Sequence, residues 1–157
     1  MRTPLILLSA LLMTGGCSKA MKPDEFLATA IRGDNSETRL GAIAAQKGGP
    51  AVAAYGRVLE SDHVKARAAA VPLAEKYGLR PPMDLMPEAA KEEKKLAGLQ
   101  GDAFDKEFAS YMVKDHKSDV SDFKKEADGD APADIKALAR DTIPVLQKHL
   151  DMAKRLT

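Results

Sequence analysis

Tryptophan is absent from this 157-residue chain, and aromatic residues make up only 4% of it. Neither a base-stacking platform nor a large carbohydrate cleft is advertised by so few rings. Charge of one sign is not in excess either, with 24 basic against 23 acidic residues. A nucleic-acid surface would show a basic surplus, so that partner is not expected. The single cysteine, Cys17, has no internal partner for a disulfide. No stretch alternates apolar and polar residues over the length of a strand, which excludes a sheet. No Ser/His/Asp or Cys/His nucleophile arrangement, phosphate-cradling glycine loop or zinc-finger spacing occurs.

What is abundant is alanine, lysine, glutamate and leucine, the composition of helical proteins. Glycine and proline punctuate the helical periodicity. The first helix is expected from 23 to about 46, with Pro23 in its first turn and Gly48-Gly49 after its end. Gly33-Asp34-Asn35 is a weak point inside it. The second runs from about 50 to 77 through Pro72, where a kink is expected. Residues 79–100 form a crossover containing a short charged surface helix, 87–97, whose Lys/Glu run reads as a solvated face. The third helix is expected from 102 to about 127, with Asp105 in the capping position three residues after Asp102. The fourth is expected from about 132 to 156 through Pro144. Two short connections and one long one give an all-α fold, a ferritin-like antiparallel four-helix bundle of two helical hairpins joined by a long crossover.

Residues 1–17 do not read as part of that fold. Arg2 provides a positive start, and the apolar run from Pro4 to Met13 is too short for a stable bilayer span. Small residues then lead to Cys17, a pattern that resembles a bacterial lipobox, although Thr14 stands where an aliphatic residue is usual. The expectation is a signal peptide, 1–17, with Cys17 acylated. A tether, 18–22, then leads to the bundle domain, 23–157. Ser18 after the cysteine suits the outer membrane, with the folded part in the periplasm. An ordinary cleaved secretory signal with an incidental Cys17 is the alternative.

All three histidines fall on apolar heptad seams, each near the middle of a different helix. His63 follows Leu59 and precedes Ala66 and Ala70. His116 lies between Met112 and Val120, and His149 between Val145 and Met152. Seam residues point into a bundle. The first helix has no histidine, but its seam carries Glu37 among small residues, where an unpaired carboxylate is costly. Counted from the helix ends, the four positions are offset by roughly 6–9 Å along the axis, within reach of one layer.

Two readings follow. In one, Glu37, His63, His116 and His149 hold a divalent transition metal. Imidazole and carboxylate suit Zn, Fe, Mn, Cu, Ni or Co. Glu60, three residues before His63, and Asp119, three after His116, are then extra ligands or acceptors that orient an imidazole. In the other, the histidines are core side chains with one hydrogen bond each, Glu37 pairs with Arg32 or Arg39 or faces solvent at the bend, and the protein is a metal-free scaffold or interaction module. A redox enzyme at the same site would need an open coordination position.

Several short motifs occur together: Glu37-x-x-Leu40-Gly41, Asp62-His63, Gly101-Asp102-Ala103-Phe104-Asp105, Asp115-His116 and Ile143-Pro144 followed by His149-Leu150. In this combination the chain resembles the bacterial domain-of-unknown-function family 4142, over about residues 23–156. The resemblance implies a ferritin-like bundle, exported to the periplasm and labelled a predicted outer-membrane protein. It also implies that Glu37, His63, His116 and His149 match the family's motif positions. It supplies no activity. Di-iron bundles carry two Glu-x-x-His helices, plus a glutamate from each of the other two. Here only Glu60-x-x-His63 fits, which points to a mononuclear site.

Overall fold

The computed structural model describes residues 19–157, and the expected leader with Cys17 lies outside them. Five helices follow in order: α1 (Pro23–Lys47), α2 (Pro50–Lys76), α3 (Pro87–Ala97), α4 (Gly101–Asp128) and α5 (Ala133–Lys154). Among the described residues there is no strand. None of their helices is long and apolar enough to cross a membrane.

The boundaries follow the punctuation. Proline opens α1, α2 and α3, where its missing N–H has no helical partner to lose. Pro72 and Pro144 lie inside α2 and α5, and neither helix is interrupted. Nor does Gly33-Asp34-Asn35 divide α1. The Asn35 side-chain amide instead donates to the carbonyls of Pro82 and Asp84, tying the middle of α1 to the crossover. The capping expectation for Asp105 is corrected too. Its carboxylate accepts from the backbone N–H of Gly49, at 3.0 and 3.2 Å, and so closes the turn between α1 and α2. A Cβ on Gly49 would lie 2.6 Å from that carboxylate, so a larger residue there would push the Asp105 side chain aside.

α1 packs along α2, and α4 along α5, each pair joined by a short turn; α2 also touches α5, and α1 touches α4. The first pair is unusually close. A Cβ on Gly56 would stand 2.5 Å from the Gly41 carbonyl oxygen and 2.7 Å from the Ala45 nitrogen. Gly56→Ala gains about 1 kcal/mol of helix propensity. It also forces backbone apart, at a cost of about 1–3 kcal/mol or more. A net loss of up to about 2 kcal/mol is expected, read as a lower urea midpoint at unchanged slope.

α3 is less solvated than its Lys/Glu run suggests. Ala89 and Leu96 are fully buried, Glu92 nearly so, and α3 packs on α1 and α4. Arg39 pairs with Glu93 of α3, while Arg32 reaches Asp84 of the crossover. Neither arginine pairs with Glu37.

The apolar core has two halves. One gathers Leu40, Tyr55, Leu59, Phe104, Phe108 and Met112 near the α1–α2 turn. The other gathers Phe26, Leu27, Ile31, Ala70, Ile135 and Ala139 toward the opposite end. Along every long helix the candidate residue falls between them in sequence. Glu37 comes after Ile31 and before Leu40. His63 comes after Leu59 and before Ala70. A polar layer thus lies across an otherwise apolar interior.

Candidate metal centre

Glu37, His63, His116 and His149 are 1%, 4%, 0% and 0% exposed. α1, α2, α4 and α5 each contribute one of them. One donor atom from each lies within 4.8 Å of all the others. The His63 and His149 rings have centroids 5.2 Å apart, His116 and His149 5.3 Å, and His63 and His116 6.1 Å. The offsets counted along the sequence therefore close into one layer.

Each imidazole has one nitrogen held from outside the layer. His63 Nδ1 lies 2.9 Å from Asp34 Oδ1. His116 Nδ1 lies 3.1 Å from the Met112 carbonyl. His149 Nε2 lies 3.1 Å from Asp62 Oδ2. A carbonyl and an ionised carboxylate can only accept, so these three nitrogens are the donors. In the neutral ring the opposite nitrogen is then a bare lone pair. Those opposite atoms, His63 Nε2, His116 Nε2 and His149 Nδ1, are buried without a hydrogen-bond partner, as is Glu37 Oε2.

Glu37 Oε2 stands 2.8 Å from His63 Nε2 and 3.0 Å from His116 Nε2. The separations are of hydrogen-bond length, but the directions do not meet hydrogen-bond geometry. Donors around one tetrahedral ion, with bonds of about 2.0–2.1 Å, stand roughly 3.3 Å apart. An ion at the centre thus needs these contacts to widen by only a few tenths of an ångström. Four orphaned buried donors on convergent helices form a set that can hold a metal ion.

Electrostatics without an ion are those of a proton-filled cage. Burial opposes charge on His63, but the Glu37 carboxylate, helped by the Asp34 hydrogen bond, raises its pKa to about 10. His116 shifts upward against burial for the same reason, the negative charge of Glu37. Burial works against ionisation of Glu37, and the charges of His116 and His63 overcome it, holding its carboxyl well below the usual range. His149 goes the other way. Burial depresses it to about 4, aided by the charges of His63 and His116 and opposed by its bond to Asp62.

Other acidic groups sort themselves around this layer. Asp119 lies beside Glu37 and Asp115, one oxygen of each within 4.8 Å of the others. Burial and then the Glu37 charge raise Asp119 to about 9 and Asp115 to about 7. Glu60 is not among the converging donors found in the described residues. It sits nearly one turn from His63, and its backbone lies beside Gly41 rather than Glu37. Sequence reasoning missed Asp34 and Asp62 as partners of the imidazoles. Asp34 precedes Glu37 by three residues, a spacing that puts both on one helical face. Asp62 adjoins His63 but serves His149, on another helix.

A cavity of about 320 Å³ leads from Lys19 and Lys125 to this centre. Phe26, Phe123 and Leu146 wall it, and Asp34, Glu37, His63 and Asp119 line its polar part. Gly33 is among its lining residues, and a Cβ there would meet nothing within 4 Å.

These features define an all-helical protein with a buried three-histidine, one-glutamate cluster. The chain belongs to the family described as domain of unknown function (DUF4142), whose model matches residues 13–156. No curated protein and no solved structure matches the chain.

Proposed function

We propose that the protein is an exported, lipid-anchored bundle of ferritin-like architecture that holds one divalent transition-metal ion at Glu37, His63, His116 and His149. Its role is metal handling or stress protection at the cell envelope. One observation carries the metal reading: each histidine fixes one ring nitrogen on a separate acceptor and leaves the other buried and unpartnered, those of His63 and His116 at 2.8 and 3.0 Å from Glu37 Oε2. That is the arrangement by which proteins fix the tautomer and direction of ligating imidazoles. The nitrogen-rich donor set suits Zn, Fe, Mn or Cu.

The ferritin-like reading is supported by two helical hairpins connected through a crossover that carries α3. Export and anchoring rest on Arg2, the apolar run to Met13 and the small residues before Cys17. An acyl chain adds about 0.8 kcal/mol of membrane affinity per buried methylene. The bundle would then stand in the periplasm on its tether at the outer membrane. Met21 and Ala20, just before α1, donate backbone N–H groups to Glu126 and Asp130 at the end of α4.

A metal-free scaffold is the second reading. The 2.8 and 3.0 Å contacts of Glu37 favour it, since protonated imidazoles can pair with a carboxylate at that range. Elemental analysis of the purified full chain separates the two: retained first-row metal supports the first, and none, with none taken up on titration, supports the second. A finer test is Asp62→Ala. It removes the acceptor that orients His149 while leaving all four donors, so metal affinity should fall about 10–100-fold. Competition against a chromophoric chelator measures that fall.

A further inference from the structure

We propose that the cavity binds a small organic amine, its cationic head on the Glu126 carboxylate and its apolar body between Phe26, Phe123 and Leu146. The site is separate from the ion's. Glu126 follows His116 by ten residues on α4, about 15 Å along the axis.

Glu126 is 1% exposed and lines the cavity. Its Oε2 accepts the Met21 N–H at 3.1 Å, while its buried Oε1 has no hydrogen-bond partner among the described residues. Lys125, the residue before it, pairs with Asp122 instead. Asp130 adds a like charge nearby. A buried carboxylate without a countercharge is costly. An ammonium supplies both the charge and the missing donor. Two hydroxyls in the lining also favour a ligand that donates. Thr29 and Thr142 give their protons to the Glu25 and Leu138 carbonyls, which leaves only lone pairs for an occupant.

The walls suit a hydrocarbon. Phe123 lies three residues before Glu126, on the same face of α4. Its ring meets that of Phe26 edge-on, with centroids 5.1 Å apart. The volume of about 320 Å³ has room for roughly ten water-sized groups, at about 30 Å³ each. Gly33 keeps that room open. Glycine weakens a helix interior relative to alanine, so its place within α1 needs a reason. Its φ is not positive, and a Cβ would meet nothing within 4 Å. Gly41 and Gly56 differ, because there the backbones of α1 and α2 touch. Gly33 lines the cavity, so a side chain in its place would narrow it.

The test is isothermal titration calorimetry of the full chain with hexylamine, hexan-1-ol and hexanoate, which share a body and differ in the charge of the head. One hexylamine per chain is expected, bound at least about tenfold more tightly than either of the others. Glu126→Gln keeps the shape and the acceptor for Met21, and should bring hexylamine down to the level of hexan-1-ol. Gly33→Leu fills the hollow and should weaken hexylamine at least about tenfold. Should circular dichroism show Gly33→Leu unfolded, Gly33→Ala carries the comparison with a smaller loss. Hexylamine bound no more tightly than hexan-1-ol or hexanoate, or bound undiminished in either variant, would overturn the amine site. Zinc uptake by the same samples reports on the ion site independently.

Discussion

Chelation of the metal-loaded full chain is expected to lower its melting temperature by about 10 °C or more. A ligand bound only by the folded state stabilises it by about 2.7 kcal/mol at a hundredfold excess over Kd and about 4.1 at a thousandfold. For a domain of this size each kcal/mol moves the midpoint by roughly 3 °C. The sign follows from what the ion replaces. Without it, the interior carries a buried carboxylate and three imidazoles whose inward atoms lack hydrogen-bond partners. Those atoms lost their water on folding and recovered only the charge attraction between Glu37 and the His63 and His116 rings. An ion satisfies all four at once. Differential scanning calorimetry with and without chelator measures the shift. A metal-free scaffold would melt unchanged.

Metal affinity is expected to rise with pH from about 6 to 9, by about tenfold per unit for each proton the ion displaces. His63 carries one such proton. Its folded pKa of about 10 stands above the ordinary value of 6.5. In the metal-free protein its protonation therefore adds stability that is fully present below about pH 6.5 and fades as the pH climbs through about 10. Glu37 contributes with the opposite sign. Its depressed pKa adds stability present above 4.5 and lost as the pH falls through the folded value. These two groups support the metal-free fold most between about pH 4.5 and 6.5, and the metal-bound fold gains as protons become scarce. His149, held near 4, is already neutral and releases nothing. Calorimetric titration with Zn²⁺ in two buffers of different ionisation enthalpy should show about one proton or more released at pH 7. Binding with no proton release would contradict this picture of the centre.

The long helices were legible because their punctuation is local. Pro23, Pro50 and Pro87 open helices, and Gly48-Gly49 separates the first pair, whatever packs on them. The seam positions of Glu37, His63, His116 and His149 were legible because a buried polar residue interrupts an apolar period. What holds those residues was not. Asp34 and Asp62 are two among 23 acidic residues, and what distinguishes them is the helix opposite. The paired Asp-His steps at Asp62-His63 and Asp115-His116 were visible, yet neither aspartate turns to the histidine beside it. Adjacent helical residues diverge by about 100°. Asp62 reaches His149 across the bundle, and Asp115 joins Asp119 and Glu37. Asp105 likewise looked like a local cap and instead closes a turn 56 residues away in sequence. The inner face of α3 was hidden for another reason: Ala89 and Leu96 are too few to lift a Lys/Glu-rich segment above the noise of a solvated helix.

Metal content of the full chain, purified without added metal or chelator, tests the centre most directly. Close to one equivalent of a first-row transition metal per chain is expected, falling to a small fraction in His116→Ala. A chain that carries no such metal, takes none up from Zn²⁺, Fe²⁺, Mn²⁺ or Cu²⁺, and melts at the same temperature in chelator would contradict it.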